Sequence, residues 1–195
     1  MSKLVLASRS PRRCELLNKL GLPFVTDSFD VDESCEQPAP CAVELLSLRK
    51  AEAARAKYSD YYILSADTLV SVNGVSLGKP RDDGDARRML HMLSGNTHQV
   101  YTGVTVISPE GEIFTEHDCS NVTFVPITDS EIDSYIRSGE PMDKAGSYAL
   151  QGRAAQWIIH MDGNPFSVIG LPLYLVRSLL LQSGYPFDNL LMKEQ

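Results

Sequence analysis

After Lys3 the chain has an apolar run over residues 4–7, followed by apolar side chains at helical spacing over residues 11–20. Ser10 is a suitable N-cap, Pro11 suits the first helical position, and Gly21 is a typical helix stop. This pattern predicts a strand that turns directly into a helix.

Further alternation follows along the first half of the chain. Residues 23–27 form a short strand pattern, residues 42–56 carry one apolar helical face, and residues 61–66 form an apolar run that ends at the polar pair Asp67 and Thr68. We expect this pair at the end of a buried strand, where open α/β sheets place their site residues.

The second half is richer in strand patterns. The turn at residues 73–74 predicts a hairpin over residues 70–77, and a Thr128 to Glu131 capping box opens a helix that ends near Arg137. The other predicted elements are a helix capped by Asp82 or Asp83 and ending at residue 93, strands over 98–108 and 113–125, a strand pair about residues 162–164, and a helix over 172–182. Together these predict a mixed α/β fold in a single domain over residues 1–195.

Charge and composition restrict the class of partner. The net charge of −7 argues against a general nucleic-acid surface, since polyanion binders normally carry a basic excess. No apolar segment approaches the roughly 20 residues needed to cross a bilayer, and the N-terminal pattern differs from a signal peptide, so we expect a cytoplasmic protein. The four cysteines and four histidines lack zinc-site spacing.

Local positive charge lies at the predicted start of the first helix. The exposed amides of a helix N-terminus attract anions, Ser8 adds a hydroxyl donor, and the guanidinium groups of Arg12 and Arg13 can bind phosphate oxygens in pairs. The segment therefore predicts a phosphate or carboxylate site. A well-capped surface helix is the alternative.

Loop and strand-end positions supply a larger charged set. The cations are Arg12, Arg13, Lys50 and Lys79, and the acidic residues are Glu33 and Asp67. Such a set suits a polyphosphate bound with Mg²⁺ or Mn²⁺, in which one carboxylate takes a proton from attacking water. Ordinary surface charges are the alternative interpretation.

Short motifs spread over nearly the whole chain resemble those of the Maf family of nucleotide pyrophosphatases. They include the segment SRSPRR and occupy residues 6–13, 32–33, 50–51, 65–68, 78–80, 93–95, 143–146, 151–152 and 168–172. The resemblance implies a mixed central sheet flanked by helices, with two lobes around a cleft, similar to inosine triphosphatases. It also implies a homodimer.

The resemblance further implies hydrolysis of a nucleoside triphosphate to the monophosphate and pyrophosphate, helped by a divalent cation. The implied general base is Asp67, and Glu33 would help it to hold metal or water. The other implied catalytic and phosphate-binding residues are Lys50, Lys79, Ser8, Arg12 and Arg13. One departure from the commonest family pattern is Arg49, which precedes Lys50.

Base preference within the family follows three positions, which here are Arg12, Thr68 and Gln151. This trio resembles the subgroup that acts on dTTP and UTP, and we expect modified uridine nucleotides as further substrates of this chain. A neutral amide such as Gln151 offers a donor and an acceptor to uracil or thymine. The alternatives are specificity for 7-methyl-GTP, or a nucleotide-binding regulator of cell division and septum formation.

Overall fold

The computed structural model describes residues 3–187. Its strands are β1 (Leu4–Ala7), β2 (Val25–Asp27), β3 (Tyr62–Val72), β4 (Val75–Leu77), β5 (Thr97–Ile107), β6 (Ile113–Phe124) and β7 (Ile158–Asp162). Its α-helices are α1 (Pro11–Asn18), α2 (Ala39–Arg55), α3 (Asp83–Leu93), α4 (Asp129–Arg137), α5 (Pro165–Ile169) and α6 (Leu173–Gln182). None of the helices described is long and apolar enough to cross a membrane.

The strands of the described chain form one mixed sheet in the order β2-β1-β3-β5-β6-β7, with β4 paired to β3. β1 runs parallel to both β2 and β3, whereas β4 is antiparallel to β3 and β7 is antiparallel to β6. All four residues of β1 are buried, as expected for a strand covered on both faces. The predicted mixed α/β class is therefore confirmed.

Contacts divide the chain into two compact units. The first unit consists of the described residues up to Asp67, Thr102–Asp118, and those from Gly170 onward, and the second consists of Thr68–Tyr101 and Cys119–Ile169. The predicted single domain over residues 1–195 and the predicted cleft stay predictions. Residues 1–2 and 188–195 lie outside the described part of the chain.

Each unit has its own apolar core. The first packs Val5 and Ile63 against small residues of α2 and the aromatic rings of Phe29, Tyr58 and Tyr61. The core of the second is more aromatic and surrounds the rings of Phe124, Tyr148 and Trp157. Burial of this apolar area stabilises each unit by the hydrophobic effect.

The strand that carries Asp67 is longer than predicted. We expected it to end at Asp67 and Thr68, but β3 continues to Val72, so both residues lie inside the strand. No glycine or proline interrupts residues 62–72, so the local sequence lacks a signal that would end the strand. The register with β1 ends at Leu64 and the pairing with β4 begins at Val70, which places Asp67 in the interval between these partners.

A second difference concerns the predicted strand pair about residues 162–164. β7 ends at Asp162, and the next element is the short helix α5. The Asn164 side chain accepts a hydrogen bond from the Phe166 backbone N–H at 2.9 Å, and Pro165 suits the first helical position. These two signals start a helix where we expected a second strand. Similarly, α2 begins at Ala39 rather than Ala42.

Candidate active site

The loop between β1 and α1 is organised by Ser8. Its hydroxyl accepts a hydrogen bond from the Ser10 backbone N–H at 3.1 Å and a longer one from Arg13 Nη1 at 3.5 Å. Ser10 occupies the N-cap position as predicted, although its side chain makes no capping bond. Arg13 Nε donates to the Gly170 carbonyl at 2.8 Å, which fixes the guanidinium beside the helix start.

Arg13 also experiences the other charges of the first unit. Burial lowers the pKa of the Arg13 guanidinium, and the positive charge of Arg12 lowers it further. The carboxylates of Asp67 and Glu33 act in the opposite direction and raise that pKa. The charges of Arg12, Asp67 and Glu33 therefore all act on the Arg13 guanidinium.

Lys50 joins the two carboxylates directly. Its Nζ lies 2.5 Å from Asp67 Oδ1 and 2.8 Å from Glu33 Oε1. The Lys50 and Asp67 side chains are 15% and 12% exposed, whereas that of Glu33 is 53% exposed. An ion pair that is largely shielded from water interacts more strongly than one on the open surface, so Lys50 orients the Asp67 carboxylate.

The loop that carries Glu33 is held to α2 by Arg49. Arg49 Nη1 donates hydrogen bonds to the carbonyls of Asp32 and Ser34, each at 2.9 Å, so it contacts both neighbours of Glu33. Bonds from Ser34 to the Asp32 carboxylate lower the pKa of Asp32 and tighten the same turn. The residue that departs from the commonest family pattern therefore supports the position of Glu33.

The remaining predicted site residues belong to the second unit. Thr68 directly follows Asp67 in β3, whereas Lys79 and Gln151 are exposed residues outside helices and strands. The segment next to Lys79 is fixed by a hydrogen bond from the Gly146 N–H to the Gly78 carbonyl at 3.0 Å. The structure thus brings together predicted residues of the first unit, and the roles of all the predicted site residues, including Thr68, Lys79 and Gln151, stay predictions.

The two acidic residues, Glu33 and Asp67, are the candidate metal ligands of the first unit. Among residues 3–187, no group of three or more histidine, cysteine, aspartate or glutamate side chains could hold an ion. Glu33 and Asp67 nevertheless converge on one cationic atom, Lys50 Nζ. Mg²⁺ is commonly bound by one or two carboxylates, with phosphate and water oxygens completing its shell, so the donor set fits such an ion.

The similarity of the chain to known proteins shows the family to which it belongs. The model of the Maf-like protein family matches residues 3–183. This chain belongs to the Maf family. A Maf relative from Moorella thermoacetica is 50% identical over 94% of this chain and 96% of its own length, and is named dTTP/UTP pyrophosphatase. A relative from Symbiobacterium thermophilum has the same name and is 46% identical over 95% of this chain and 96% of its own.

A solved structure supports the fold of this Maf chain. The Ham1 protein of Staphylococcus aureus matches 93% of this chain and 99% of its own length, with a TM-score of 0.56 and 14% sequence identity. At this identity the likeness concerns the fold alone. It agrees with the predicted mixed sheet flanked by helices.

Sequence reasoning about this Maf chain missed one residue near Gln151. The carboxylate of Glu140 accepts hydrogen bonds from the Tyr135 hydroxyl at 2.9 Å and from the Arg153 backbone N–H at 3.0 Å. Glu140 follows the end of α4 and looks like an ordinary surface charge in the sequence. Tyr135 lies five residues before Glu140, but only the fold brings the Arg153 backbone to the carboxylate, so no local pattern identifies this contact.

Proposed function

We propose that this chain is a nucleoside triphosphate pyrophosphatase that hydrolyses dTTP and UTP, and also modified uridine nucleotides. The observation that carries the proposal is the pair of relatives, 50% and 46% identical over almost the whole chain, that share the name dTTP/UTP pyrophosphatase. The cluster of three cations and two carboxylates in the first unit supports it, because phosphate transfer depends on positioned charge.

In the proposed reaction, Asp67 accepts a proton from a water molecule. The water oxygen forms a bond to the α-phosphorus of the nucleotide, and the bond between that phosphorus and the oxygen leading to the β-phosphate breaks. The products are the nucleoside monophosphate and pyrophosphate. The Lys50 ion pair holds the Asp67 carboxylate at Oδ1, and a fixed base is needed for efficient proton transfer.

The cations stabilise the charge that develops on the phosphates. Arg12 and Arg13 neutralise phosphate oxygens near the start of α1, and Ser8 supplies a hydroxyl in the same loop. Lys79 also neutralises phosphate oxygens, a role implied by the family motif at residues 78–80. Glu33 and Asp67 would hold Mg²⁺ or Mn²⁺, which neutralises phosphate charge when bound.

Base recognition is assigned to Arg12, Thr68 and Gln151. The exposed Gln151 amide offers both a donor and an acceptor, which complement the O4 and N3 positions of uracil and thymine. A protein site built to satisfy such a pair of hydrogen bonds discriminates strongly against bases that lack them. The proposed preference for dTTP and UTP follows from this complementarity.

The test is a steady-state assay over dTTP, UTP, CTP, GTP and 7-methyl-GTP with Mg²⁺ or Mn²⁺, in which pyrophosphate and orthophosphate are measured separately. We expect pyrophosphate from dTTP and UTP. The variant Asp67→Asn should lose at least about a hundredfold in kcat while it still binds nucleotide. The control Asp60→Asn removes a carboxylate whose partner is Lys3, on the surface, and should retain activity. Release of orthophosphate, or full activity of Asp67→Asn, would contradict the proposal.

The proposal includes a cytoplasmic homodimer that acts on free nucleotides and has neither a nucleic-acid nor a membrane partner. The net charge of −7 supports the part concerning nucleic acid, because phosphate backbones repel an acidic surface. Light scattering on the purified protein tests the dimer. A mass corresponding to one chain at micromolar concentration would contradict it.

A further inference from the structure

The backbone that follows Gln151 rests directly on the carboxylate of Glu140. The Arg153 N–H donates to Glu140 Oε1 at 3.0 Å and to Oε2 at 3.3 Å. Gly152, which lies between Gln151 and Arg153, has no room for a side chain, because a Cβ at this position would lie 1.8 Å from Glu140 Oε1. The carboxylate therefore fills the space that any other residue at position 152 would need.

Glu140 is in turn attached to the core of the second unit. The Tyr135 hydroxyl donates to Glu140 Oε1 at 2.9 Å, and Tyr135 is only 3% exposed. The Tyr135 ring packs edge-on against Trp157, with 5.0 Å between ring centroids. Lys144 Nζ adds a bond to the Glu140 carbonyl at 3.1 Å. A chain of contacts thus runs from the buried aromatic core to the residues next to Gln151.

We propose that Glu140 is a positioning residue that fixes the backbone at residues 151–153 and thereby sets the selectivity of the enzyme for uracil and thymine. This inference rests on the proposed function, in which Gln151 contacts the base. A hydrogen bond from a side-chain amide selects a base only when its backbone is held in place, because a displacement of about 1 Å weakens the bond and admits other bases.

The chemistry of Glu140 explains why a carboxylate is needed here. The group accepts bonds from a hydroxyl and a backbone N–H, and an ionised carboxylate has acceptor sites on both oxygens. Both donors reach Oε1, and the Arg153 N–H also reaches Oε2 at 3.3 Å. In Glu140→Gln, an NH₂ group at the Oε1 position would face both donors, and an NH₂ group at the Oε2 position would face the Arg153 N–H. In Gly152→Ala, the methyl group displaces the carboxylate. Both changes should shift the segment that presents Gln151 while the reacting groups of the first unit stay unchanged.

The experiment compares kcat and KM for UTP and CTP, which differ at the base edge that Gln151 is proposed to contact. We expect Glu140→Gln and Gly152→Ala to lower the ratio of kcat/KM for UTP over CTP about tenfold, mainly through a higher KM for UTP, with kcat within about threefold of wild type. The matched control is Glu131→Gln. Glu131 also accepts a backbone N–H, that of Thr128 at 2.8 Å, but it caps α4. Its selectivity ratio should not change.

A milder variant guards against loss of folding. Tyr135→Phe keeps the buried ring and removes only the hydroxyl that holds Glu140, so it should lower the ratio about threefold. Fluorescence of Trp157, the only tryptophan, reports whether each variant keeps its native core. Variants without the native signal are set aside, and Tyr135→Phe then decides the question.

A further variant, Gln151→Ala, separates failure of this inference from failure of the proposed function. If Gln151→Ala lowers the ratio but every folded variant at positions 135, 140 and 152 keeps the wild-type value, Glu140 has no positioning role and the proposed function stands. If Gln151→Ala leaves the ratio unchanged, the assignment of Gln151 to the base is wrong, and the inference about Glu140 is overturned with it.

Discussion

Acidification should destabilise the second unit through His98. This side chain is fully buried, and its Nε2 lies 2.8 Å from the Tyr148 hydroxyl. The ring packs edge-on against Phe124 at 5.0 Å, and its Nδ1 has no hydrogen-bond partner within the described residues. Burial lowers the pKa of His98 from 6.5 to about 4, because a charged imidazolium in this apolar core would lose its hydration.

The sign of the effect follows from where the proton binds. Between pH 6.5 and about 4, the unfolded chain binds a proton at His98 and the folded chain does not, so stability falls as the pH falls through this window. The two pKa values differ by about 2.5, and each pKa unit corresponds to about 1.4 kcal/mol, which gives about 3 kcal/mol in total. Between pH 7 and pH 5 the expected loss is about 2 kcal/mol.

Urea unfolding followed by Trp157 fluorescence measures this loss, since Trp157 is the only tryptophan and its ring, like that of His98, packs against Phe124. We expect the wild-type free energy of unfolding to fall between pH 7 and pH 5 by about 2 kcal/mol more than that of His98→Phe, which keeps an aromatic ring but cannot bind a proton. The control His160→Gln changes an exposed histidine of β7 and should behave like the wild type.

Comparing how the free energy of unfolding changes with pH in the wild type and in His98→Phe separates the titration of His98 from other effects of the substitution. His98→Phe leaves the Tyr148 hydroxyl without its partner and should lower stability at every pH. Burial raises the pKa of Tyr148, so this group does not titrate between pH 5 and pH 7. Equal pH dependence of the wild type and His98→Phe would refute the reasoning.

Two further predictions concern the first unit. Arg49→Ala frees the loop of Glu33 and should lower kcat/KM for UTP about tenfold, whereas Asp30→Asn breaks only an exposed ion pair in the same loop and should have little effect. Gly103→Ala places a Cβ 2.3 Å from the Val43 carbonyl and should cost at least about 2 kcal/mol in thermal or urea unfolding. Gly78→Ala meets nothing closer than 3.9 Å and should cost less than about 1 kcal/mol, and the reverse order of the two glycine variants would contradict the packing argument.

Features that depend on neighbouring residues could be predicted from the sequence. The capping box at Thr128 and Glu131 forms with both of its reciprocal bonds. Asn73 and Gly74 take positive φ angles of 51° and 78°, as a type I′ turn requires. Each of these structures is determined within about four residues of chain, so the local pattern contains the whole signal.

Features that depend on pairing across the fold could not be predicted in the same way. The continuation of β3 through Asp67 and Thr68 joins a segment paired with β1 to a segment paired with β4, and the residues of the strand do not indicate this continuity. The candidate acidic and basic residues were identified as a set, but the convergence of Glu33 and Asp67 on Lys50 requires a loop, a helix and a strand to meet. The contact of Glu140 with the Arg153 backbone, thirteen residues away, has no sequence signature at all.

The charge balance of the first unit bears on how a triphosphate could be bound. Three cations face two carboxylates there, so the cluster of Arg12, Arg13, Lys50, Glu33 and Asp67 has a net charge of only +1. Lys50 is already shared between both carboxylates. A nucleoside triphosphate carries several negative charges, and these five side chains alone would leave most of them uncompensated. This deficit supports the proposed divalent cation, which Glu33 and Asp67 would hold and which would supply further positive charge for the phosphates.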